Sequence, residues 1–299
     1  MYLNMNMISS HLMGGLGNQL FQLFATIAYA ITNKVKFIFP YSLSLPDGIE
    51  RPTYWDSFLG SLKGFTTLNN KLTNEELYKF SLFRENGFHY NCIPNFQINT
   101  MIYGYWQSYK YFHDTRDIIF KLIRLRQIKE SVKNEFSRYF ESDKDDELIS
   151  MHFRLGDYKL KQDYHPILPY EYYEKSIHYI LDNNIDKEKR KTVLYFCEKE
   201  DNDTVLEHIQ KLNKQFPNIL FMKADDTIPD WKQLILMSCC NHNIIANSSF
   251  SWWGAYMNLT DTKIVCYPSI WFGIRITISR SHDEYMKDLH PDEWIKIVL

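Results

Sequence analysis

Strand-like and helix-like segments alternate without a break in the second half of the chain. Short apolar runs typical of buried strands are separated by stretches whose apolar residues recur at helical spacing. The strands are predicted at 148–153, 193–197, 219–222, 243–246 and 263–267. The helices between them are predicted at 171–183, 204–216, 231–239 and 250–258. This alternation predicts an α/β fold with a parallel sheet covered on both faces, and such sheets bind ligands at the carboxyl ends of their strands.

The first half of the chain opens on the same pattern and then loses it. A strand-like run at 5–13 is broken by glycines, helical spacing follows at 18–31, and a short strand is predicted at 36–39. Together these segments predict a βαβ unit. The segment 41–100 is aromatic and irregular, with one predicted helix at 74–83.

A charged run marks the predicted domain boundary. After a predicted strand at 102–106 and a long amphipathic helix at 117–140, the chain enters the apolar-poor segment Glu141-Ser-Asp-Lys-Asp-Asp-Glu147. Such a composition is typical of the exposed segments between domains. We therefore predict two α/β domains, 1–143 and 144–299.

The charge balance and the cysteines exclude several classes of protein. The 34 Lys and Arg residues against 36 Asp and Glu residues leave a formal net charge of -2, so no general basic field attracts nucleic acid. The five cysteines are an odd number without a C-x-x-C pair, which favours a reducing compartment. With neither a leader-like start nor an apolar run of ~18 residues, we expect a cytoplasmic protein without a transmembrane segment, and peripheral membrane contact stays open.

A glycine-rich turn, Gly14-Gly-Leu-Gly17, lies between the first predicted strand and helix. Missing side chains let a ligand approach the backbone, and the start of a helix favours an anion. Asn18 and Gln19 place polar groups directly after the turn. The spacing is a poor dinucleotide-binding fingerprint, and a turn that serves chain geometry alone is the alternative.

A second polar cluster, Ser150-Met-His-Phe-Arg-Leu-Gly-Asp-Tyr158, ends the strand at 148–153. His152 and Arg154 point to the same side because strand residues alternate in direction. Gly156 permits a sharp turn that leaves Asp157 within reach of either side chain. Asp157 could then orient Arg154 while Arg154 faces a phosphate. For each residue alone, a surface ion pair or a structural histidine is the simpler explanation.

The third motif, Asn247-Ser-Ser-Phe-Ser-Trp-Trp-Gly254, follows the strand at 243–246. Ser248 or Ser249 can cap the helix that begins near Phe250, whose exposed first-turn amides would form a second anion site. Core packing is the simpler role for at least one of Trp252 and Trp253. Metal-ligand spacings, a Walker A sequence and G-x-S-x-G are missing from the sequence, so the residues together predict a metal-free binder of a nucleoside diphosphate.

Five ordered segments resemble the α-1,2-fucosyltransferases of glycosyltransferase family 11. They are MGGLGNQLFQ, HFRLGDY, MSCCNHNIIANSSFSWWGAYMN, KIVCYPSIWF and HPDEWIKI. The resemblance extends from Met13 to Ile297 and is weakest between about residues 41 and 100. It implies a GT-B fold, in which two Rossmann-like domains face each other across a cleft, with the acceptor side on the first domain and GDP-sugar binding on the second.

The resemblance also implies an activity and its partners. The expected reaction is an inverting, metal-independent transfer of L-fucose from GDP-β-L-fucose to the 2-hydroxyl of a terminal galactose on a glycan. GDP-fucose is then a co-substrate, and no cofactor is expected. The catalytic residues that the resemblance implies are Arg154, His152, Asp157 and Asn18. The residues that it implies for GDP-fucose binding are Gly14, Gly15, Gly17, Gln19, Arg154, Asn247, Ser248, Ser249 and Phe250.

The chain departs from the family motif H-x-R-R-x-D at its second arginine, which is Leu155 here. By strand alternation Leu155 faces away from His152 and Arg154, so we expect the change to affect packing or donor affinity more than chemistry. The general base stays open among His152, Asp157 and a group of the irregular first half. Two other functions also stay open, a GT-B transferase with another donor sugar and a non-catalytic GDP-sugar-binding protein.

Overall fold

Parallel sheets organise both halves of the chain in the computed structural model, which describes residues 6–45, 50–141, 146–185, 189–278 and 281–299. The described chain divides into two units. The first unit comprises Met1–Ile128 with Met286–Pro291, and the second comprises Lys129–Tyr285 with Asp292–Leu299. The predicted boundary between residues 143 and 144 lies outside the described residues.

The first unit is built on a parallel sheet of four strands in the order β2-β1-β6-β5, within the described residues. A short antiparallel hairpin, β3-β4, lies outside this sheet. The last helix of the first unit, α4, continues into the second unit. The strands and helices of the first unit are β1 (Met7–Ser10), α1 (Leu16–Asn33), β2 (Lys36–Phe37), β3 (Ser44–Leu45), β4 (Arg51–Pro52), α2 (Asn74–Leu77), β5 (Ser81–Arg84), β6 (Thr100–Tyr103), α3 (Arg116–Leu122) and α4 (Leu125–Glu135).

Helix α1 forms where its apolar spacing predicts and covers one face of this sheet. Ala25 and Tyr29 of the helix pack with Ile8 of β1 and Ile102 of β6 in one buried cluster. The helix ends at Asn33. Lys34, the residue that caps it, is left-handed at φ 56°, and its N–H donates to the carbonyls of Ala30 and Ile31 in the last turn. The βαβ opening of the chain is therefore confirmed.

Two predicted helices of the first unit are wrong in part. The predicted helix 74–83 ends early, because its second half forms β5, paired in parallel with β6. A capping box between Thr73 and Glu76 starts α2, whereas the apolar residues after it are used by the sheet. The predicted helix 117–140 is divided into α3 and α4 at Arg124, whose φ of 57° does not fit a right-handed helix.

A segment near the chain end completes the first unit. Asp288 accepts a hydrogen bond from the Tyr90 amide at 3.2 Å and pairs with the Lys110 ammonium. Its carbonyl accepts a hydrogen bond from the Ser108 hydroxyl at 2.6 Å. These bonds explain why Met286–Pro291 belongs to the first unit although most of its neighbours in sequence belong to the second.

The second unit carries a parallel sheet of six strands, in the order β9-β8-β7-β10-β11-β12 among the described residues. In chain order this is 3-2-1-4-5-6, the order of doubly wound nucleotide-binding sheets, and it reverses between β7 and β10. The elements are β7 (Glu147–His152), α5 (Tyr170–Asn183), β8 (Lys191–Phe196), α6 (Asn202–Gln215), β9 (Ile219–Lys223), α7 (Asp230–Ser238), β10 (His242–Ile244), α8 (Ser249–Tyr256), β11 (Val265–Pro268), α9 (Ile274–Thr277), α10 (His282–Met286) and β12 (Ile295–Ile297).

Every predicted strand and helix between residues 148 and 267 is confirmed to within a few residues, and so is the α/β class. Strands β7 and β8 are buried along their whole length, as expected for strands covered on both faces. The short strand β12 was not predicted from the sequence. It pairs in parallel with β11.

A buried group of charges closes the amino ends of β7, β8 and β10. Glu147 lies 2.8 Å from the Lys191 ammonium and 3.5 Å from His242 Nε2, and it also accepts a hydrogen bond from Asn184. All four residues are buried. Burial alone would raise the pKa of Glu147, but the bonds from Lys191 and Asn184 outweigh it and lower that pKa. This end of the sheet is therefore held by a paired charge.

Candidate nucleotide-sugar site

The strand order brings two of the three predicted motifs to one edge of the second sheet. His152 ends β7, and the segment 247–250 follows β10, so both lie where the strand order reverses. The His152 and Phe250 rings are 5.6 Å apart, and the Tyr158 hydroxyl donates to the Asn247 carbonyl at 3.1 Å. This edge is where open α/β sheets bind ligands.

Arg154 lies between two carboxylates at this edge. One guanidinium nitrogen pairs with Asp157, as predicted, and another pairs with Glu198, which the sequence did not single out. The guanidinium carbon also lies 5.0 Å from the centre of the Tyr158 ring. Burial alone would lower the pKa of Arg154, but the neighbouring negative charges raise it. The cation is fixed in place and stays charged.

The turn after Arg154 depends on a glycine. Gly156 has a φ of 37°, a left-handed conformation that glycine adopts without strain. Its N–H donates to Asp201 at 2.8 Å, and Asp201 is itself paired with the Lys159 ammonium at 2.6 Å. A Cβ atom at position 156 would lie 2.5 Å from a carboxylate oxygen of Glu198. The glycine therefore admits both the turn and the close approach of Glu198.

His152 is a buried, neutral histidine. Burial and the charge of Arg154 lower its pKa to about 3. The imidazole therefore carries no charge near pH 7, and its Nδ1 atom is buried without a hydrogen-bond partner among the described residues.

Leu155 belongs to the hydrophobic core. It is 5% exposed and packs in the same cluster as Phe153 and Leu168. Leu155 is thus part of the core, whereas the Arg154 guanidinium pairs with Asp157 and Glu198. Where the family motif has its second arginine, this chain has a leucine that is buried in the core.

The segment after β10 starts helix α8. The Ser248 hydroxyl accepts a hydrogen bond from the Phe250 amide at 3.3 Å, which confirms the predicted cap, and Ser249 and Phe250 are partly exposed in the first turn. The Asn247 amide nitrogen donates to the Pro166 carbonyl at 2.8 Å. Trp252 and Trp253 are fully buried, so both of them build the core.

The glycine turn of the first unit is held by two glutamines of α1. Gln19 donates to the carbonyls of Gly14 and Pro52 at 3.0 and 2.9 Å. Gln22 accepts from the Met13 amide at 2.9 Å and donates to its carbonyl at 3.1 Å. Gly14 is left-handed at φ 78°, and a Cβ at Gly15 would meet open space. The predicted residues of this turn therefore lie together, with the side chain of Gln19 used to fix the backbone.

Asn18 and Gly17 lie in the first turn of α1. The Asn18 side-chain oxygen accepts a hydrogen bond from the Gln107 amide at 2.8 Å. Gln107 follows β6, which neighbours β1 in the sheet. Asn18 is therefore tied to the carboxyl ends of two adjacent strands of the first unit.

The structure separates core aromatics from surface aromatics in the first unit. Tyr54, Trp55 and Trp106 are buried. Tyr103 is partly exposed, with its ring 5.0 Å from the ring of His11 and the Arg84 guanidinium 4.5 Å away. Tyr105 is 39% exposed. These last two side chains lie at the end of β6 and are accessible to a ligand.

Glu85 is a half-buried carboxylate at the end of β5. One of its oxygens accepts the amides of Tyr105 and Trp106 at 2.7 and 3.0 Å. Burial raises the pKa of Glu85 to about 7, against the smaller effect of the two amides. Trp106 has a φ of 55°, so the carboxylate braces a backbone conformation that a bulky residue rarely adopts.

We expect Glu85→Gln to remove a pH dependence of stability. The pKa of Glu85 in the folded protein lies above the ordinary value of 4.5. The free energy of unfolding of the wild type should therefore be highest below pH 4.5, fall as pH rises to about 7, and stay constant at higher pH as far as this group is concerned. The amide can still accept both backbone N–H groups, so at pH 8 the variant should be more stable by about 2–3 kcal/mol.

Urea denaturation of the wild type and of Glu85→Gln at pH 5 and pH 8 measures this difference. The exposed Glu75→Gln is the matched control and should change neither value. Equal free energies of unfolding for the wild type and Glu85→Gln at pH 8 would contradict the assigned burial cost.

Two properties of the described residues bear on metals and membranes. Across the described ranges, no group of three or more His, Cys, Asp and Glu side chains is arranged to hold a metal ion. Among the described helices, none combines the length and the apolar character that crossing a bilayer requires.

Solved structures of fucosyltransferases are similar to the chain at low sequence identity. POFUT1 in complex with GDP-fucose is 12% identical, with 88% of this chain and 98% of that one covered at a TM-score of 0.47. NodZ α-1,6-fucosyltransferase co-crystallised with GDP is 11% identical, with 85% and 93% covered at a TM-score of 0.45.

Two proteins of Escherichia coli are similar in sequence over most of their length. The O-antigen biosynthesis glycosyltransferase WbnK is 27% identical, with 88% of this chain and 94% of the relative covered. An alpha-1,2-colitosyltransferase is 24% identical, with 98% and 99% covered. The model of glycosyl transferase family 11 matches residues 4–296. The chain is therefore a glycosyltransferase and belongs to glycosyl transferase family 11.

Proposed function

We propose that the protein transfers L-fucose from GDP-β-L-fucose to the 2-hydroxyl of a terminal galactose on a glycan, with inversion and without a metal ion. The observation that carries the proposal is the fixed cation of Arg154 at the point where the strand order of the second sheet reverses. A nucleoside diphosphate needs such a cation. Family membership supports the transfer of a sugar.

The reaction requires the leaving diphosphate to be stabilised. The acceptor 2-hydroxyl oxygen forms a bond to the anomeric carbon while the bond from that carbon to the β-phosphate oxygen breaks. The hydroxyl gives its proton to a base, for which His152 and Asp157 are the candidates of the second unit, and negative charge grows on the departing GDP. Arg154 and the positive end of helix α8 would meet that charge, as preorganised groups do in a site that excludes water.

The other predicted residues take supporting roles in this proposal. Asp157 orients Arg154, and neutral His152 lies beside it without adding a competing charge. Asn247, Ser248, Ser249 and Phe250 would contact the nucleotide. Gly14, Gly15, Gly17, Asn18 and Gln19 of the first unit keep their predicted part in donor binding, with Asn18 also assigned to catalysis.

For the acceptor, the proposal is a galactose-terminated glycan on the first unit. Sugar rings present apolar faces that pack on aromatic side chains and hydroxyl groups that bond to charged ones. Tyr103, Tyr105 and the neighbouring Arg84 supply both kinds of group at the end of β6.

A second candidate function is the transfer of a different sugar to the same kind of hydroxyl. The alpha-1,2-colitosyltransferase, similar over 98% of this chain, favours it. Machinery that binds a diphosphate does not specify the sugar attached to it, so the two candidates share the role of Arg154.

A donor screen tests the proposed function. We expect GDP-fucose to raise the melting temperature more than GDP-mannose or a UDP-sugar does, because a ligand that binds only the folded state stabilises it. Incubation of GDP-fucose with N-acetyllactosamine should then release GDP and give an α-1,2-linked product, with or without EDTA. Turnover with another donor alone would establish the second candidate, and GDP binding without any turnover would indicate a binding protein.

A further inference from the structure

Glu198 holds a position on Arg154 that the sequence motifs do not account for. It follows β8, the strand next to β7 in the sheet. One oxygen of its carboxylate contacts the Arg154 guanidinium, and the other lies over Gly156, where a Cβ atom would be 2.5 Å away. An anion thus already lies on the cation and over the glycine of the turn.

The two carboxylates on Arg154 differ in how firmly they are held. Asp157 is part of the same turn, three residues away, and its side chain is 35% exposed. Glu198 comes from a different strand end, and its side chain is 49% exposed. The Glu198 carboxylate pairs with Arg154 alone among the charged side chains of the described residues. Glu198 can therefore leave Arg154 for water without breaking the turn.

The negative charges in contact with Arg154 outnumber its own positive charge. Asp157 and Glu198 together carry two negative charges against the one guanidinium. The nearby Lys159 is committed to Asp201, and Lys161 lies 4.0 Å from Asp157. A diphosphate that approaches while Glu198 is in place meets a site without net positive charge from this group.

We propose that Glu198 is a placeholder that occupies the phosphate position on Arg154 in the free protein and is displaced by the diphosphate of the donor. This inference rests on the proposed function, because it takes Arg154 as the diphosphate ligand. Carboxylate and phosphate oxygens match the same N–H pair of a guanidinium, so the exchange conserves the hydrogen bonds of Arg154. The Tyr158 ring, 5.0 Å from the guanidinium carbon, and Asp157 keep the cation in place during the exchange.

Displacement has a measurable effect on affinity. A ligand that binds only when Glu198 has left Arg154 finds only a fraction of the molecules ready to bind, so its apparent Kd equals the intrinsic Kd divided by that fraction. Glu198 therefore lowers the affinity for the donor. It also favours ligands whose diphosphate binds Arg154 more tightly than a carboxylate does.

Titration of GDP into the full chain tests the proposal. Glu198→Gln keeps the size of the side chain but removes the charge, so we expect its Kd for GDP to fall by about fivefold at low ionic strength. Because the competing contact is ionic, this gain should shrink as salt is added. Glu200→Gln is the matched control, since Glu200 is exposed and the charge change is the same; its Kd should stay within about twofold of the wild type.

The outcomes separate this inference from the function on which it rests. An unchanged or higher Kd in Glu198→Gln, relative to Glu200→Gln, would overturn the placeholder role and make Glu198 a support of Arg154. A wild-type chain that does not bind GDP would overturn the proposed function and the inference with it. Glu198→Ala, with its melting temperature measured beside the others, repeats the comparison without the amide and should also bind GDP more tightly.

Discussion

Arg154→Ala should reduce the transfer rate by about a hundredfold to a thousandfold or more, with the fold retained. The guanidinium is the charge that we assign to the departing diphosphate, and loss of one preorganised donor at a developing oxyanion costs about this factor. The substitution also leaves Asp157 and Glu198 without their cation, so the site becomes repulsive to an anion. Steady-state kinetics with GDP-fucose and N-acetyllactosamine measure the loss.

Two further variants make this result specific. Arg154→Lys keeps the charge but lacks the planar fork, so we expect activity between that of the wild type and that of the alanine variant. Arg138→Ala removes an exposed arginine, also paired with an aspartate, from the same unit, and should leave the rate unchanged. Wild-type activity in a folded Arg154→Ala protein would refute the assigned role.

Lys191→Met should destabilise the second unit by about 3–5 kcal/mol. The change leaves the Glu147 carboxylate buried without its ammonium partner, and an uncompensated buried charge costs about this much. Because the partners of Glu147 lower its pKa, wild-type stability from this group is present above the ordinary pKa and is lost as pH falls. In the variant, burial is left to raise the pKa of Glu147, so the dependence should reverse and the loss of stability should shrink as pH falls. Urea denaturation between pH 4 and pH 7 measures both effects.

A double variant gives the control for this prediction. In Glu147→Gln with Lys191→Met, both charges are gone, and the loss should be smaller than in Lys191→Met alone because no ion is left unpaired. Equal losses in the single and double variants would show that packing, and not the buried charge, determines the effect.

The second half of the fold is predictable because its signals are local. Strands β7 and β8 are buried along their length, and their apolar runs are bounded by helices with clear spacing. In the first half, the apolar residues of 78–84 fit a helix and a strand equally well. They form a strand because they pair with β6. Since β6 is distant in sequence, the local periodicity of 78–84 cannot show whether a helix or a strand forms.

The candidate site shows the same division between local and distant information. The pairing of Arg154 with Asp157 was predicted because both lie in one turn. Glu198 was missed because it begins a charged run, Glu198-Lys-Glu-Asp201, which is typical of a solvated surface. Its significance follows from the position of β8 beside β7, and a carboxylate at the end of a neighbouring strand is the signal that could have indicated it.

The glycine turn of the first unit is held largely by its own helix. Gln22 pairs with both polar groups of the Met13 backbone, as a neighbouring strand would, and Gln19 closes on Gly14. These contacts bridge five to nine positions of the sequence, so closing them costs little chain entropy and they can form together with α1. A turn built in this way is rigid before any ligand arrives, so a ligand that binds it does not have to order the backbone.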